Sequence, residues 1–158
     1  MDYFNLKKKE SRQKLFYKKN NILSNLGEEL LNSKLKYIKA EPVNIIQFGE
    51  SFNVKNFKEN IPLFKNFDEL SKNHLISDVF LSNFGLQIFL AYEENIMEYI
   101  HDSLNNNGLL CFNLITNNSF ITLKKIFYEI DENLFEGSYR RFGPFHDIQD
   151  IIEKLKKK

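Results

Sequence analysis

The sequence predicts an α/β fold, a mostly parallel sheet flanked by helices, and three observations carry that prediction. Residues 78–115 switch between two periodicities. Asp78 opens a short apolar run, Val79-Phe80-Leu81, that stops at Ser82-Asn83; Ile96, Met97, Ile100 and Leu104 then recur at helical spacing; Leu109 to Ile115 is a second apolar run. Strand, helix and strand in that order make a βαβ unit, which places its two strands parallel. Val43, Ile45, Ile46 and Phe48 follow one another without polar alternation, as in a strand buried on both faces. Ile22, Leu23, Leu26, Leu30, Leu31 and Leu35 form an apolar helical stripe that can cover one face of such a sheet.

Taken in order, residues 6–38 read as helical, with Gly27 a tolerated weak point. Pro42 resets the backbone toward an extended form, and the strand from Val43 to Phe48 ends at Gly49-Glu50-Ser51. Residues 52–67 stay open: Val54 to Ile61 fits a short helix, and Pro62 to Phe67 either a short strand or a loop. Asp68 and Glu69 lead into a polar connector before the βαβ unit, in which Asn105-Asn106-Asn107-Gly108 breaks the helix. Tyr92, Glu93 and Glu94 read as a capping arrangement at a helix start. Phe120, Leu123, Ile126, Phe127, Ile130 and Leu134 mark a further helix, with Asn118 or Ser119 as N-cap and Glu136-Gly137-Ser138 as its end. Gly143-Pro144-Phe145 makes a turn, and Asp147 caps a last helix carrying Ile148, Ile151, Ile152 and Leu155. No repeat or linker divides the chain. It reads as one domain over 1–158, with N-terminal helices at 1–40, an α/β core at 43–115 and C-terminal helices at 118–158.

The bulk properties narrow the function. A chain of 158 residues carrying a net charge of +1 lacks the one-sided basic surface that nucleic-acid binding needs. Lys7-Lys8-Lys9 and Lys156-Lys157-Lys158 read as solvated ends. Cys111 is the sole cysteine, which excludes an intrachain disulfide, and it reads as a small core residue. His74, His101 and His146 are far apart in sequence, so no metal site is expected. The Met-Asp-Tyr-Phe start has no long apolar core, so neither a secretory signal nor a membrane span is expected. The expectation is a soluble protein of a reducing compartment, the cytoplasm or, in a eukaryote, the mitochondrial matrix. Open parallel sheets bind ligands beyond the carboxyl ends of their strands. Here that edge holds Ser82, Asn83 and, just past them, Gln87.

The order of these segments resembles a class I S-adenosylmethionine-dependent methyltransferase with a Rossmann-like sheet. The branch it is most similar to contains malonyl-acyl-carrier-protein O-methyltransferase of biotin synthesis and complex I assembly factor 5. Asp78-Val-Phe-Leu-Ser82-Asn-Phe-Gly-Leu86-Gln87-Ile88 is similar to the family's D-h-h-h-S-x-x-x-L-H-W strand. Ile96 to Gly108 resembles its following helix and turn, Asn117 to Leu123 its "GGDTLxEL" segment, and Glu136-Gly137-Ser138-Tyr139 with Gly143-Pro144-Phe145 its "EGGF…SPF" segment. The likeness covers residues 1–50 loosely and 68–155 more closely.

The departures fall on the cofactor motif. Where the family has D/E-x-G-x-G-x-G, this chain reads Gln47-Phe48-Gly49-Glu50-Ser51-Phe52-Asn53 and keeps one glycine. Asn53 tolerates positive φ, Ser51 adds a Cβ, and Glu50 adds a charge. The first crossover is shortened to residues 52–67, and the further antiparallel strands of the family have no counterpart, so the sheet is truncated. The resemblance implies S-adenosylmethionine at Gln47, Gly49, Ser51, Asn53, Asp68, Ser82 and Asn83. Asp68 stands either as the acid that caps adenine, as a substitute ribose ligand, or as half of a solvated pair with Glu69. It implies an acceptor lined by Gln87, Tyr139, Arg140 and Arg141, in which the arginines would clamp a carboxylate. Methyl transfer works mainly by holding donor and acceptor in line, so no catalytic residue is assigned. The partners implied are an acyl carrier protein or a protein substrate. Two readings follow from the resemblance, a methyltransferase and a non-catalytic scaffold or assembly factor on the same fold, and a third stands outside it, an unrelated α/β domain that binds another small ligand.

Overall fold

The computed structural model describes residues 21–38, 42, 44–49, 51–55, 57, 61–92, 95–137, 139 and 145–156. The chain forms two compact units, Met1–Leu114 and Ile115–Lys158.

Among the described residues, the first unit is built on four strands: β1 (Ile45–Phe48), β2 (Leu63–Phe64), β3 (Ser77–Asn83) and β4 (Leu104–Asn113). They lie in the order β2-β1-β3-β4, and every pairing is parallel. Ile45 stands beside Val79 and Gln47 beside Leu81, so the strand predicted from Val43 does pair with the one predicted from Asp78. The chain winds outward from β1 to β2, then crosses back over β1 to reach β3. The direction of winding therefore reverses between β1 and β3, the place where open α/β sheets take their ligands.

The uniformly apolar strand sequence follows from burial on both faces: all four residues of β1 are buried. Side chains alternate across the sheet, which divides the core in two. On one face Ile46, Phe48 and Phe80 pack with Phe64, Leu70, Leu86, Phe89 and Ile100, beneath helices α2 (Phe67–Asn73), α3 (Leu86–Tyr92) and α4 (Ile96–Asp102). Phe48 and Phe80 are fully buried, and burial of each such side chain contributes about 1.5–3 kcal/mol. On the other face Ile45, Val79 and Leu81 pack with Val54 and with Leu35 of helix α1 (Ile22–Leu35), and Phe52, Phe57, Ile61 and Cys111 fill in around them.

Several elements differ from the sequence reading. The buried face of α1 is Gly27, Leu31, Asn32 and Leu35, whereas Ile22, Leu26 and Leu30 are exposed. The helical period is right, but the buried arc is rotated toward the glycine, which alone lets α1 approach the sheet closely. The described residues among 51–57 are not helical, and Pro62 to Phe67 supplies the two-residue strand β2, whose Gln47↔Leu63 pairing completes the edge. The connection from β3 to β4 carries two short helices. Tyr92 ends the first of them, Asn95 precedes the second without a side-chain cap, and Glu93 and Glu94 lie outside the described residues. β4 begins at Leu104, ahead of the Asn105–Gly108 segment predicted as a helix break; the irregularity is in the strand, where the register jumps from Ser77↔Leu104 to Val79↔Leu109.

The second unit contains α5 (Ile121–Phe135) and α6 (Ile148–Lys156). Its N-cap differs from expectation: neither Asn118 nor Ser119 caps α5, which starts from Phe120 in the left-handed region (φ 59°). Ser119 instead accepts a hydrogen bond from the Thr116 N–H (3.2 Å). Lys124 Nζ donates to the Asn117 carbonyl (2.6 Å) and lies 4.4 Å from the centre of the Phe145 ring, tying the start of α5 to the segment before α6. Asp147 accepts from the Gln149 N–H (2.8 Å) and caps α6 as predicted. Among the described residues no helix is long and apolar enough to cross a membrane.

Candidate functional site at the switch point of the sheet

The carboxyl ends of β1 and β3 meet through two glycines. Gly49 ends β1 with φ at +99°, a conformation open to glycine and strained for other residues. A Cβ on Gly49 would stand 2.7 Å from the Cα of Gly85, and one on Gly85 would strike the Phe48 carbonyl and come within 2.7 Å of Ser82 Oγ. The two loops are thus packed main chain to main chain at the point where the winding reverses.

The polar residues around this contact bond to neighbouring backbone. Gln47 points to the α1 face, where its Nε2 donates to the Phe52 carbonyl (2.9 Å) and its Oε1 accepts from the Phe52 N–H (3.1 Å). Both ends of the amide close the loop after β1 into a ring. Ser82, on the opposite face, donates from Oγ to the Phe48 carbonyl (3.1 Å) and accepts from the Leu86 N–H (3.2 Å), holding β1, β3 and the first turn of α3 together. Asn83 returns to the α1 face, where its Nδ2 donates to the Ser24 carbonyl (2.9 Å). Asn113 at the end of β4 donates to the Gly27 carbonyl (2.8 Å) and to Asn83 Oδ1 (3.1 Å). Further along α1, Asn32 donates to the Asn53 carbonyl (2.9 Å) and accepts from the Lys55 N–H (2.8 Å). α1 is stitched along its length to the carboxyl ends of β1, β3 and β4.

The remaining predicted residues that are described in the first unit stand apart from this seam or at its rim. Ser51 and Asn53 are exposed on the loop after β1. Asp68 is exposed in the first turn of α2, just beyond the end of β2. Its neighbour Glu69 is committed: its carboxylate accepts from the Lys65 N–H (2.9 Å) and from Asn66 Nδ2 (3.1 Å), while Asn66 Oδ1 accepts from the Glu69 N–H (2.9 Å), a reciprocal cap of the helix. Gln87 is half-buried in the first turn of α3, and its N–H donates to the Phe84 carbonyl (3.2 Å). Tyr139 belongs to the second unit; its N–H donates to the buried carboxylate of Asp131 (3.1 Å) and its ring meets Phe135 edge-on. Arg140 and Arg141 lie outside the described residues. Cys111 is half-buried, and desolvation raises its thiol pKa above the ordinary range while Lys34 pulls modestly the other way, so the nucleophilic thiolate is disfavoured.

Sequence reasoning missed Gly27, Gly85, Asn32 and Asn113. A signal was present for two of them. Gly85 interrupts the passage from strand to helix two residues after Asn83, and Asn113 is a polar residue inside an otherwise apolar run. At the opposite, amino end of β3 an open cleft of about 520 Å³ is lined by Leu70, His74, Leu75, Glu98, Tyr99 and Asp102 among others. None of the predicted residues described in the first unit lines it.

No protein-family model and no curated protein matches this chain. Among solved structures it is similar to phosphoethanolamine N-methyltransferase 2 of Haemonchus contortus in complex with phosphomonomethylethanolamine and S-adenosylhomocysteine. The TM-score is 0.45 at 18% identity, over 78% of this chain and 30% of that one. At that level the likeness adds nothing to the strand order described above, and the chain spans less than a third of that protein's length.

Proposed function

We propose that this is a methyltransferase-like α/β domain whose cofactor edge has become an internal seam, and that it acts as a non-catalytic interaction module. The ordered sequence resemblance supports the methyltransferase-like part. One observation carries the rest: Gln47, Ser82 and Asn83 all direct their polar groups at neighbouring main chain or at Asn113. A ligand entering there has to break such bonds, each worth about 0.5–1.5 kcal/mol. A millimolar ligand brings only about 4 kcal/mol. The partner class that fits the resemblance is an acyl carrier protein or a protein surface.

The second reading is an S-adenosylmethionine-dependent methyltransferase acting on a carboxylate thioester or a protein side chain. It is favoured by the positive φ of Gly49 and by the exposed Ser51 and Asn53 on the loop that follows. In that reading Gly49, Ser51, Asn53 and Asp68 hold the nucleoside and methionine parts, and Ser51→Gly tightens binding. Calorimetric titration of S-adenosylmethionine into the purified chain separates the two. The interaction-module reading predicts no saturable heat at millimolar ligand for either the native chain or Ser51→Gly. A saturable one-to-one isotherm that tightens in Ser51→Gly overturns it in favour of the enzyme.

A further inference from the structure

We propose that Asn107 is a self-modifying site, converting without any enzyme to aspartate and β-linked isoaspartate through a cyclic imide with Gly108. The reaction needs three things: an unrestrained asparagine side chain, a main chain free of a regular ladder, and a following nitrogen without a neighbouring Cβ. This one position supplies all three.

Asn107 is the only asparagine in the chain followed by glycine. It is exposed, and it lies in the irregular stretch of β4 where the register jumps from Ser77↔Leu104 to Val79↔Leu109. Residues 105–108 therefore stand opposite Asp78 alone, and none of them has a register partner on β3. The fold itself requires the glycine: a Cβ at position 108 would lie 2.9 Å from the Asn105 carbonyl and 2.9 Å from Leu104 Cδ2. Four other asparagines are restrained. Asn32 is buried in a helix with its amide bonded at both ends, Asn83 and Asn113 form the seam, and Asn105 is held by Asp78 (2.5 Å). Asn118, exposed in a turn before Ser119, is the fair internal comparison, because the serine Cβ hinders its neighbouring nitrogen.

The steps balance with water as the sole co-reactant. The Gly108 main-chain nitrogen loses its proton and attacks Asn107 Cγ. A C–N bond closes a five-membered imide, the Cγ–Nδ2 bond breaks, and ammonia leaves. Water then adds to either imide carbonyl and reopens the ring. One opening gives aspartate; the other gives isoaspartate, in which the main chain runs through the former side chain. Both products add a negative charge on the segment that faces Asp78.

The test is to age the full chain in mildly alkaline buffer made with heavy-oxygen water, then digest it and fragment the peptides by electron transfer. Label is expected at Asn107, as a mixture of the two products, severalfold faster than at Asn118 and with none at Asn32. Asn107→Gln removes the labelled peptide. The proposal is overturned if Asn118 converts first, or if the variant gains label on this segment at the native rate. It is equally overturned if Asn107 stays amide in the folded chain while the free peptide of the same sequence converts.

Discussion

Replacing Gly27 with alanine sets two effects of opposite sign against each other. Gly27 is in the interior of α1, where alanine is favoured over glycine by about 1 kcal/mol. Judged by the helix alone, the variant is more stable. The packing says otherwise: the added Cβ would overlap Asn83 Oδ1, lie 2.6 Å from Phe84 Cε2 and lie 3.0 Å from Asn113 Nδ2. The Phe84 ring edge can shift, but Asn83 and Asn113 are held by the bonds that join α1 to β3 and β4. Overpacking costs about 1–3 kcal/mol, and each bond lost when α1 lifts costs about 0.5–1.5 kcal/mol. After the propensity gain is subtracted, the net is a destabilisation of about 2 kcal/mol. Urea unfolding followed by circular dichroism reads this as a lower midpoint at unchanged slope. Asn83→Ala in the same chain removes the overlapped atom, so the double variant loses less than the sum of the single ones. A Gly27→Ala midpoint equal to or above the native one refutes the close approach of α1 to the sheet.

Gln47→Glu replaces the amide donor to the Phe52 carbonyl with a second oxygen, so it destabilises the fold at neutral pH by about 1–3 kcal/mol. A protonated carboxyl restores a donor, so the deficit shrinks as pH falls; a loss that is the same at all pH values contradicts the Gln47 clamp. Glu69→Ala removes the acceptor for the Lys65 N–H and Asn66 Nδ2 and is expected to cost about 1 kcal/mol in the same urea assay. The Cys111 thiol has a folded pKa above its unfolded one. Its contribution to stability is therefore complete below the unfolded pKa and is lost as pH rises toward the folded value. Alkylation of native Cys111 is correspondingly slower than that of the unfolded chain at any pH near neutral.

The sheet was legible because its signals are local. Apolar runs such as Val79-Phe80-Leu81 and Val43 to Phe48 mark strands buried on both faces, and the helical spacing of Ile96, Met97 and Ile100 marks the crossover from β3 to β4. The strand pairing, the parallel sense and the edge bearing Gly49, Ser82 and Asn83 all follow from that. What escaped was decided by contacts between distant segments. Gly27 reads as a weak point in a helix, and only the side chains of Asn83 and Asn113 opposite it make it the contact residue. The stripe of α1 read from leucines alone includes Leu26 and Leu30, which are exposed, because the buried arc is set by that close approach. The N-cap of α5 failed for a similar reason: Ser119 has a nearer use in the Thr116 turn, and Phe120 takes the left-handed position instead. Gln47 reads as a substitution at a cofactor motif. Its tie to Phe52 is a local contact, yet the residue types alone do not reveal it.

Amide hydrogen exchange, residue by residue, tests the closed seam most directly. The Phe52 N–H is held by Gln47, the Leu86 N–H by Ser82 and the Gly49 N–H by the Phe64 carbonyl (2.8 Å). With the seam closed, all three are slow to exchange in the chain alone, and saturating S-adenosylmethionine leaves their rates unchanged. Fast exchange at these three amides that becomes slow when the cofactor is added would show instead an open cradle that closes on its ligand.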